Sequence, residues 1–271
     1  FTKDTPQLSY SMAKSLTNAL VGVLVREGKL SLDAPAPIKE WHDKGDPRGA
    51  ITLRQLLNMT SGLQFDEDYV SPSSDVAQQY VHGDLAGYAA SKPLAFAPGT
   101  HWHYSTGTAN IVGRIVREAA GPKLSQGFAF PRQDLFDPIG MRSAVLEVDG
   151  KGNFVSGTLA YATPRDFARL ALLYLRDGVW NGRRILPEGW VTFSHTPVRA
   201  ADAPDSGYGA FFWLDLTADR SNGKLPPDTY EMNGYAGQSV FIIPSRNTVI
   251  VRLGVSAFDT WHAEDFAGTV L

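Results

Sequence analysis

The chain reads as an α+β protein, an antiparallel β-sheet flanked by helices with an all-helical region inserted. Three observations carry this. Helical spacing of apolar residues dominates the first half, the texture changes at Ser143, and short strand-like runs follow a helix toward the end. The sheet-containing part is expected over residues 1–28 and 143–271, and the mainly helical part over 29–142.

Met12–Glu27 reads as a helix, with Met12, Leu16, Ala19, Leu20, Val23 and Leu24 on the apolar spacing and Gly28 as its stop. Thr52 caps a short helix through Leu53, Leu56 and Leu57 that closes near Gly62. Polar Asp66–Ser74 is a loop, Ser74–Ala90 a helix, and Pro98-Gly99 a turn. Thr108–Ala120 is a helix closed by Gly121-Pro122, and Leu124–Phe136 a helix interrupted by Pro131. Ser143–Val148 and Asn153–Ser156 form a hairpin around Asp149–Gly152. Thr163–Arg176 is a helix, and Pro187–Phe193 a shorter one with Pro187 in its first turn. Tyr208–Leu214, Ser239–Ile243 and Thr248–Val255 are strands, the last two joined by a Pro244–Asn247 turn, and Trp261–Leu271 begins a final helix.

Composition narrows the function. With 25 Lys+Arg against 28 Asp+Glu, the net charge of −3 leaves no basic footprint for a phosphate backbone, so nucleic acid is not an expected partner. The apolar stretches are too short for a membrane span. Absence of cysteine removes disulfides, thiolate metal sites and cysteine nucleophiles. The chain opens at Phe1 with neither Met nor a signal pattern, which reads as a processed chain or a fragment.

Three constellations carry chemistry. In Ser11-Met-Ala-Lys14, residues three apart share a helix face, so hydroxyl and amine meet. Free N–H groups at the helix start favour negative charge on Ser11. Burial disfavours the lysine cation, and a neutral amine is a base for serine attack. Taken alone, the pattern more often marks a capping serine beside a solvated lysine. Tyr104-Ser105-Thr106 lies on a loop before a helix, where Tyr104 could pass protons or simply pack. Gly234-Tyr-Ala-Gly237-Gln238 leads into a strand; its glycines admit a substrate close to backbone, and its N–H groups could complete an oxyanion hole with that of Ser11. Taken alone, a plain turn into a strand is the commoner use of such a segment.

These elements occur in the order found in the serine β-lactamase and penicillin-binding-protein superfamily, which the chain resembles. Ile51-Thr-Leu-Arg-Gln-Leu-Leu-Asn-Met-Thr-Ser-Gly-Leu63, Phe96-Ala-Pro-Gly-Thr-His-Trp-His-Tyr-Ser105, Asp137-Pro-Ile-Gly-Met141 and Ala162-Thr-Pro-Arg-Asp-Phe-Ala-Arg169 are each similar to motifs of its class C-like branch. Within that branch the chain looks most like the 6-aminohexanoate-dimer (nylon-oligomer) hydrolases and related carboxylesterases. Phe65-Asp-Glu-Asp-Tyr-Val-Ser-Pro-Ser-Ser-Asp-Val76 resembles the loop those enzymes place over the site.

The resemblance implies a β-lactamase-like fold and a serine hydrolase that cleaves a small ester or amide through an acyl-enzyme on Ser11. Lys14 would be the base, Tyr104 the proton shuttle, and the N–H groups of Ser11 and Gln238 the oxyanion hole. Tyr69, Tyr235, Gly237 and Gln238 would contact substrate. No metal or organic cofactor is implied, and the partner is a small molecule bound by a monomer or homodimer. Relatives carry N-terminal sheet strands before Ser-x-x-Lys, so these are expected to be missing here. The compartment, periplasm or cytoplasm, stays open.

Departures bear on substrate. Thr106 stands at an asparagine position, Tyr235-Ala-Gly237 replaces Lys-Thr-Gly, Ala236 replaces a histidine, and Tyr80 stands where efficient nylon-dimer enzymes have an acid. The alternatives are a D-amino-acid peptidase or weak β-lactamase, and a non-catalytic peptidoglycan-binding relative. A Ser-His-Asp hydrolase fails for want of a Gly-x-Ser-x-Gly elbow, and His101-Trp-His103 reads as packing rather than a metal pair.

Overall fold

A computed structural model of the chain describes residues 1–214, 223–257 and 262–271. It has the α+β architecture the sequence predicts, with the bases of that prediction visible element by element. β1 (Gln7–Leu8) leads into α1 (Met12–Arg26), where every residue from Met12 to Leu24 is buried. A helix buried on all sides is a core helix and not a surface one, which the polar residues Lys14, Ser15, Thr17 and Asn18 had obscured. Gly28, at φ +70°, follows it in the left-handed region that a side chain disfavours.

The helical stretch comprises α2 (Leu53–Leu57), α3 (Asp75–His82), α4 (Leu85–Ala90), α5 (Thr106–Ala120), α6 (Leu124–Phe130) and the short α7 (Asp137–Ile139). Thr52 caps α2 as expected, with Gln55 reciprocating. The helix ends at Leu57, however, well before Gly62. The single helix expected over Ser74–Ala90 is two, because Gly83 turns left-handed and Asp84 caps α4 by accepting from Gly87 N–H at 2.8 Å. α5 starts two residues early, at Thr106, because Ser105 accepts from Thr108 N–H. Pro131 does not stop the chain; Pro131–Phe136 continues as a π-helical segment.

Three antiparallel sheets are formed among the described residues. β3 (Ala160–Ala162) pairs with β1 on one side and β2 (Val145–Leu146) on the other. The hairpin expected between Ser143–Val148 and Asn153–Ser156 reduces to one bridge, Val148 to Phe154, since β2 pairs with β3 instead. α8 (Pro164–Leu175) is capped by Thr163. A small hairpin of β4 (Val179–Trp180) and β5 (Arg183–Arg184) had no strand signal in sequence. α9 (Trp190–Ser194) starts three residues after Pro187, with Gly189 before it.

The larger sheet has the order β6 (Trp213–Leu214), β7 (Tyr230–Gly234), β8 (Gln238–Ile243), β9 (Thr248–Arg252). The strand expected over Tyr208–Leu214 is mostly a tight turn, with Phe211 at φ +62°. Trp261, the first residue of the expected last helix, lies outside the described residues; α10 spans Ala263–Val270. Among the described residues no helix is long and apolar enough to cross a membrane.

One apolar core joins these parts. α1 contributes Met12, Leu16, Leu20 and Leu24, α5 Ile111 and Ile115, α8 Phe167 and Leu170, and the sheet Met232, Val240 and Ile242. Asn18 is a polar hub inside it. Its Oδ1 accepts from Tyr174 Oη at 2.6 Å, Trp190 Nε1 at 2.8 Å and Ser194 Oγ at 3.1 Å, while Nδ2 donates to Ala210 O at 2.8 Å. These bonds fix the rotation of α1 about its axis, and so decide where Ser11 and Lys14 point.

Candidate active site

Ser11 sits at the start of α1, directly after Tyr10, whose φ of +46° is a left-handed conformation uncommon for a bulky residue. That sharp turn brings Ser11 to the wall of a cavity of about 960 Å³. Lys14, one turn on, is 1% exposed. Its Nζ lies 3.1 Å from Ser11 Oγ, 2.9 Å from Gly157 O and 3.4 Å from Thr106 Oγ1. The expected serine–lysine contact is therefore present, and the lysine is buried rather than solvated.

Gly157 approaches Thr106 closely. A Cβ on it would come within 2.5 Å of Thr106 Cγ2, so a side chain there would push its carbonyl off the lysine. Gly157 N–H in turn donates to Asn110 Oδ1 at 2.9 Å. Sequence reasoning passed over Gly157, because a backbone acceptor leaves no side-chain signature.

Tyr104 reaches the site with its ring. Lys14 Nζ stands 4.7 Å from the ring centroid, and the ring stacks on Trp213 at 5.5 Å. Its hydroxyl makes no hydrogen bond to Ser11 or Lys14, so the proton-shuttle geometry is not formed here. Catalytic bonds often tighten only with substrate present.

Glu67 is the residue the sequence reading missed. One carboxylate oxygen accepts from Thr106 N–H at 2.8 Å. The other accepts from the Thr106 hydroxyl and, at 2.7 Å, from Tyr69 Oη. Its signal lay in the quoted loop: in extended chain, residues two apart face the same side, and Glu67 stands two before Tyr69. Tyr69 lines the cavity. Desolvation of its hydroxyl end, with the Glu67 carboxylate second, pushes the phenol above its ordinary range, although much of the ring is exposed.

The Tyr235–Gly237 turn forms the opposite wall. Tyr235 and Gly237 line the cavity, and Tyr235 meets Tyr10 edge-on at 5.5 Å. Ala236 is left-handed at φ +60°. Gln238 departs from expectation in one respect. It is buried, and its carboxamide is spent on Gly254, accepting from Gly254 N–H at 3.0 Å and donating to Gly254 O. Unlike Tyr235, Ala236 and Gly237, Gln238 is not among the residues that line the cavity. Arg252 braces the same turn, donating to Gly237 O at 2.8 Å and Gly254 O at 2.9 Å.

Tyr80 lines the cavity and shares a 2.5 Å hydrogen bond with Thr158 Oγ1; desolvation raises its phenol pKa. His103 Nε2 is 2.7 Å from Phe65 O, and His101 stacks on Phe96 at 3.7 Å, so both imidazoles hold loops. Among the described residues no lysine or arginine lines the cavity, and Glu264 is its one formally charged wall residue.

The family model described as Beta-lactamase matches residues 1–260, and the chain belongs to that family. It is 26% identical over 277 residues to a 6-aminohexanoate-dimer hydrolase of Paenarthrobacter ureafaciens, covering 93% of this chain and 67% of that protein. It is 30% identical over 245 residues to esterase EstB of Burkholderia gladioli, covering 81% and 58%. The chain thus spans about two thirds of the first relative's length and less of the second's. A penicillin-binding protein structure from Bacillus halodurans superposes with TM-score 0.73 at 21% identity, covering all of this chain and 87% of that one. A β-lactamase structure from Mycobacterium bovis gives 0.70 at 20%, covering 99% and 88%. These likenesses to solved structures establish the fold.

Proposed function

We propose that the protein is a serine hydrolase that cleaves a small carboxylic ester or amide through an acyl-enzyme on Ser11. The observation that carries the reading is the buried Lys14 amine 3.1 Å from Ser11 Oγ at the wall of a large cavity. Ser11 Oγ attacks the carbonyl carbon as its proton passes to Lys14 Nζ, and the carbonyl π pair moves onto oxygen. The backbone N–H groups of Ser11 and Gln238 receive that oxyanion. On collapse the bond to the leaving group breaks, and the Lys14 proton, relayed by Tyr104, goes to the departing oxygen or nitrogen. Water then repeats the sequence and frees the acid.

The walls favour an uncharged substrate with an apolar or aromatic acyl group. Tyr10, Tyr69, Tyr80, Tyr104, Trp213 and Tyr235 surround the cavity, and apolar surface gains most where aromatic rings bury it. A substrate carboxylate finds no counter-cation among the described wall residues, which weighs against a β-lactamase or D-peptidase. Intact mass after fluorophosphonate treatment, beside turnover of p-nitrophenyl acetate through octanoate, tests the reading. One adduct that maps to Ser11 and vanishes in Ser11→Ala, together with ester turnover, is expected. Full activity in Ser11→Ala would sink it, and a folded but unlabelled, inactive protein would make the chain a binding relative.

A further inference from the structure

Glu67 contacts Thr106 and Tyr69 at the site, yet the proposed reaction does not use its carboxylate. We propose that Glu67 is a positioning residue that sets the hydrogen-bond direction at the base: by taking the Thr106 proton, it reserves the Lys14 lone pair for Ser11. The proposal rests on the serine-hydrolase reading above.

The argument is a count of donors and acceptors. A neutral amine has two N–H bonds and one lone pair. Lys14 Nζ has three polar neighbours. Gly157 O can only accept, so one N–H is committed to it. Thr106 Oγ1 has a single proton, and the Glu67 carboxylate takes it. Toward Lys14 the threonine oxygen is therefore an acceptor as well, and the second N–H is committed there. The remaining direction points at Ser11 Oγ, to which the ammonium donates its third N–H; in the neutral amine that acts as base, the lone pair takes that place. After proton transfer the ammonium uses the same three directions. The proton gained and lost is always the one on the Ser11 axis, and no rearrangement precedes attack.

Without Glu67 as an obligate acceptor the count is lost. A threonine hydroxyl is free to donate or accept, and if it donates to Lys14 it competes with Ser11 for the lone pair. The backbone of Thr106 makes Glu67 specific for this task. Its N–H occupies one carboxylate oxygen at 2.8 Å, which holds the other against the hydroxyl.

Glu67→Gln changes the polarity with almost no change of shape. An amide NH2 cannot face the Thr106 N–H, donor against donor, so it takes the place opposite the hydroxyl. Thr106 must then accept from it, and its own proton turns toward Lys14. The expected result is a fall of kcat for p-nitrophenyl acetate by about tenfold or more with KM nearly unchanged. Rates are expressed per site titrated by fluorophosphonate, so a partly misfolded preparation does not mimic the effect.

Two backgrounds separate this role from others. Thr106→Val removes the hydroxyl through which Glu67 acts, so Glu67→Gln is expected to cost little more in that background. Tyr69→Phe removes the other donor to Glu67, and there the Glu67→Gln loss is expected in full. Equal losses with and without the Thr106 hydroxyl would overturn the proposal. So would disappearance of the loss in Tyr69→Phe, which would make Glu67 a holder of the loop. If wild type itself neither labels at Ser11 nor turns over ester, the hydrolase reading fails, and this proposal fails with it.

Discussion

Lys14 is buried where an unmatched amine would be costly, yet each of its three polar neighbours is supplied by a different part of the chain: Ser11 by its own helix, Thr106 by the start of α5, and Gly157 by the segment before β3. Replacing it with Met keeps the volume and removes the proposed base. Positioned acid–base catalysis contributes about 10²–10⁴-fold, so Lys14→Met is expected to lower the acylation rate by that order, read from the burst of p-nitrophenol. His195 makes a pH prediction. Burial lowers its pKa as it stacks on Tyr230 at 4.9 Å. Its folded form holds a proton less readily than the unfolded chain, so its stabilising contribution is full above the ordinary histidine range. That contribution is lost as pH falls from there through the lowered folded value. Melting temperatures from pH 7.5 down to 5 should therefore fall more steeply in wild type than in His195→Phe. Equal slopes would show that His195 does not carry this effect. The residue scale also shows where sequence reading stops. Ser11 and Lys14 were legible because helix geometry alone puts them on one face. Glu67 stood between Asp66 and Asp68 in a polar loop, and its two-residue step to Tyr69 does not reveal the distant Thr106 N–H that its carboxylate accepts from.

At the scale of elements, local chemistry set several boundaries. Thr52 and Gln55 satisfy each other's backbone N–H groups at the start of α2. Thr52→Ala is expected to cost about 1 kcal/mol, measurable by urea unfolding. That helix carries the residues before the loop that reaches Glu67 and Tyr69, but the cap is remote from the cavity, so kcat should hold. Unchanged stability would show the cap to be redundant. The break between α3 and α4 was written in Gly83 and Asp84, yet the apolar spacing ran through it and concealed it. Short strands were the least legible. β1, β4 and β5 have two residues each, too few for a period of two to show. Their strand character comes from partners: β1 is extended because Gln7 and Leu8 pair with Ala162 and Tyr161.

For the molecule as a whole, Asn18 is where the parts are held in register. It ties α1 to α8 and α9 and to the backbone at Ala210. Asn18→Leu would leave the hydroxyl of Tyr174 and the indole N–H of Trp190 buried without that acceptor. Each stranded group costs about 1–3 kcal/mol, so a loss of several kcal/mol is expected, seen as a fall in the urea midpoint. A loss below about 1 kcal/mol would show that these groups find other partners.

By itself the sequence determined the α+β class, the main helices, and the serine–lysine pair with its neighbouring tyrosine motif. The class, the helices and the meeting of Ser11 with Lys14 follow from spacing, capping and short-range geometry, which act within a few residues of chain; the tyrosine motif follows from the family resemblance. Only the tertiary structure decided that α1 is buried on every side, that Gln238 turns its carboxamide to Gly254, that Thr106 donates to Glu67 and that Lys14 donates to Gly157 O. Those outcomes depend on which groups meet across 16 to 143 positions of sequence. A hydrogen bond at that range is set by packing of the whole core, and no local pattern records it.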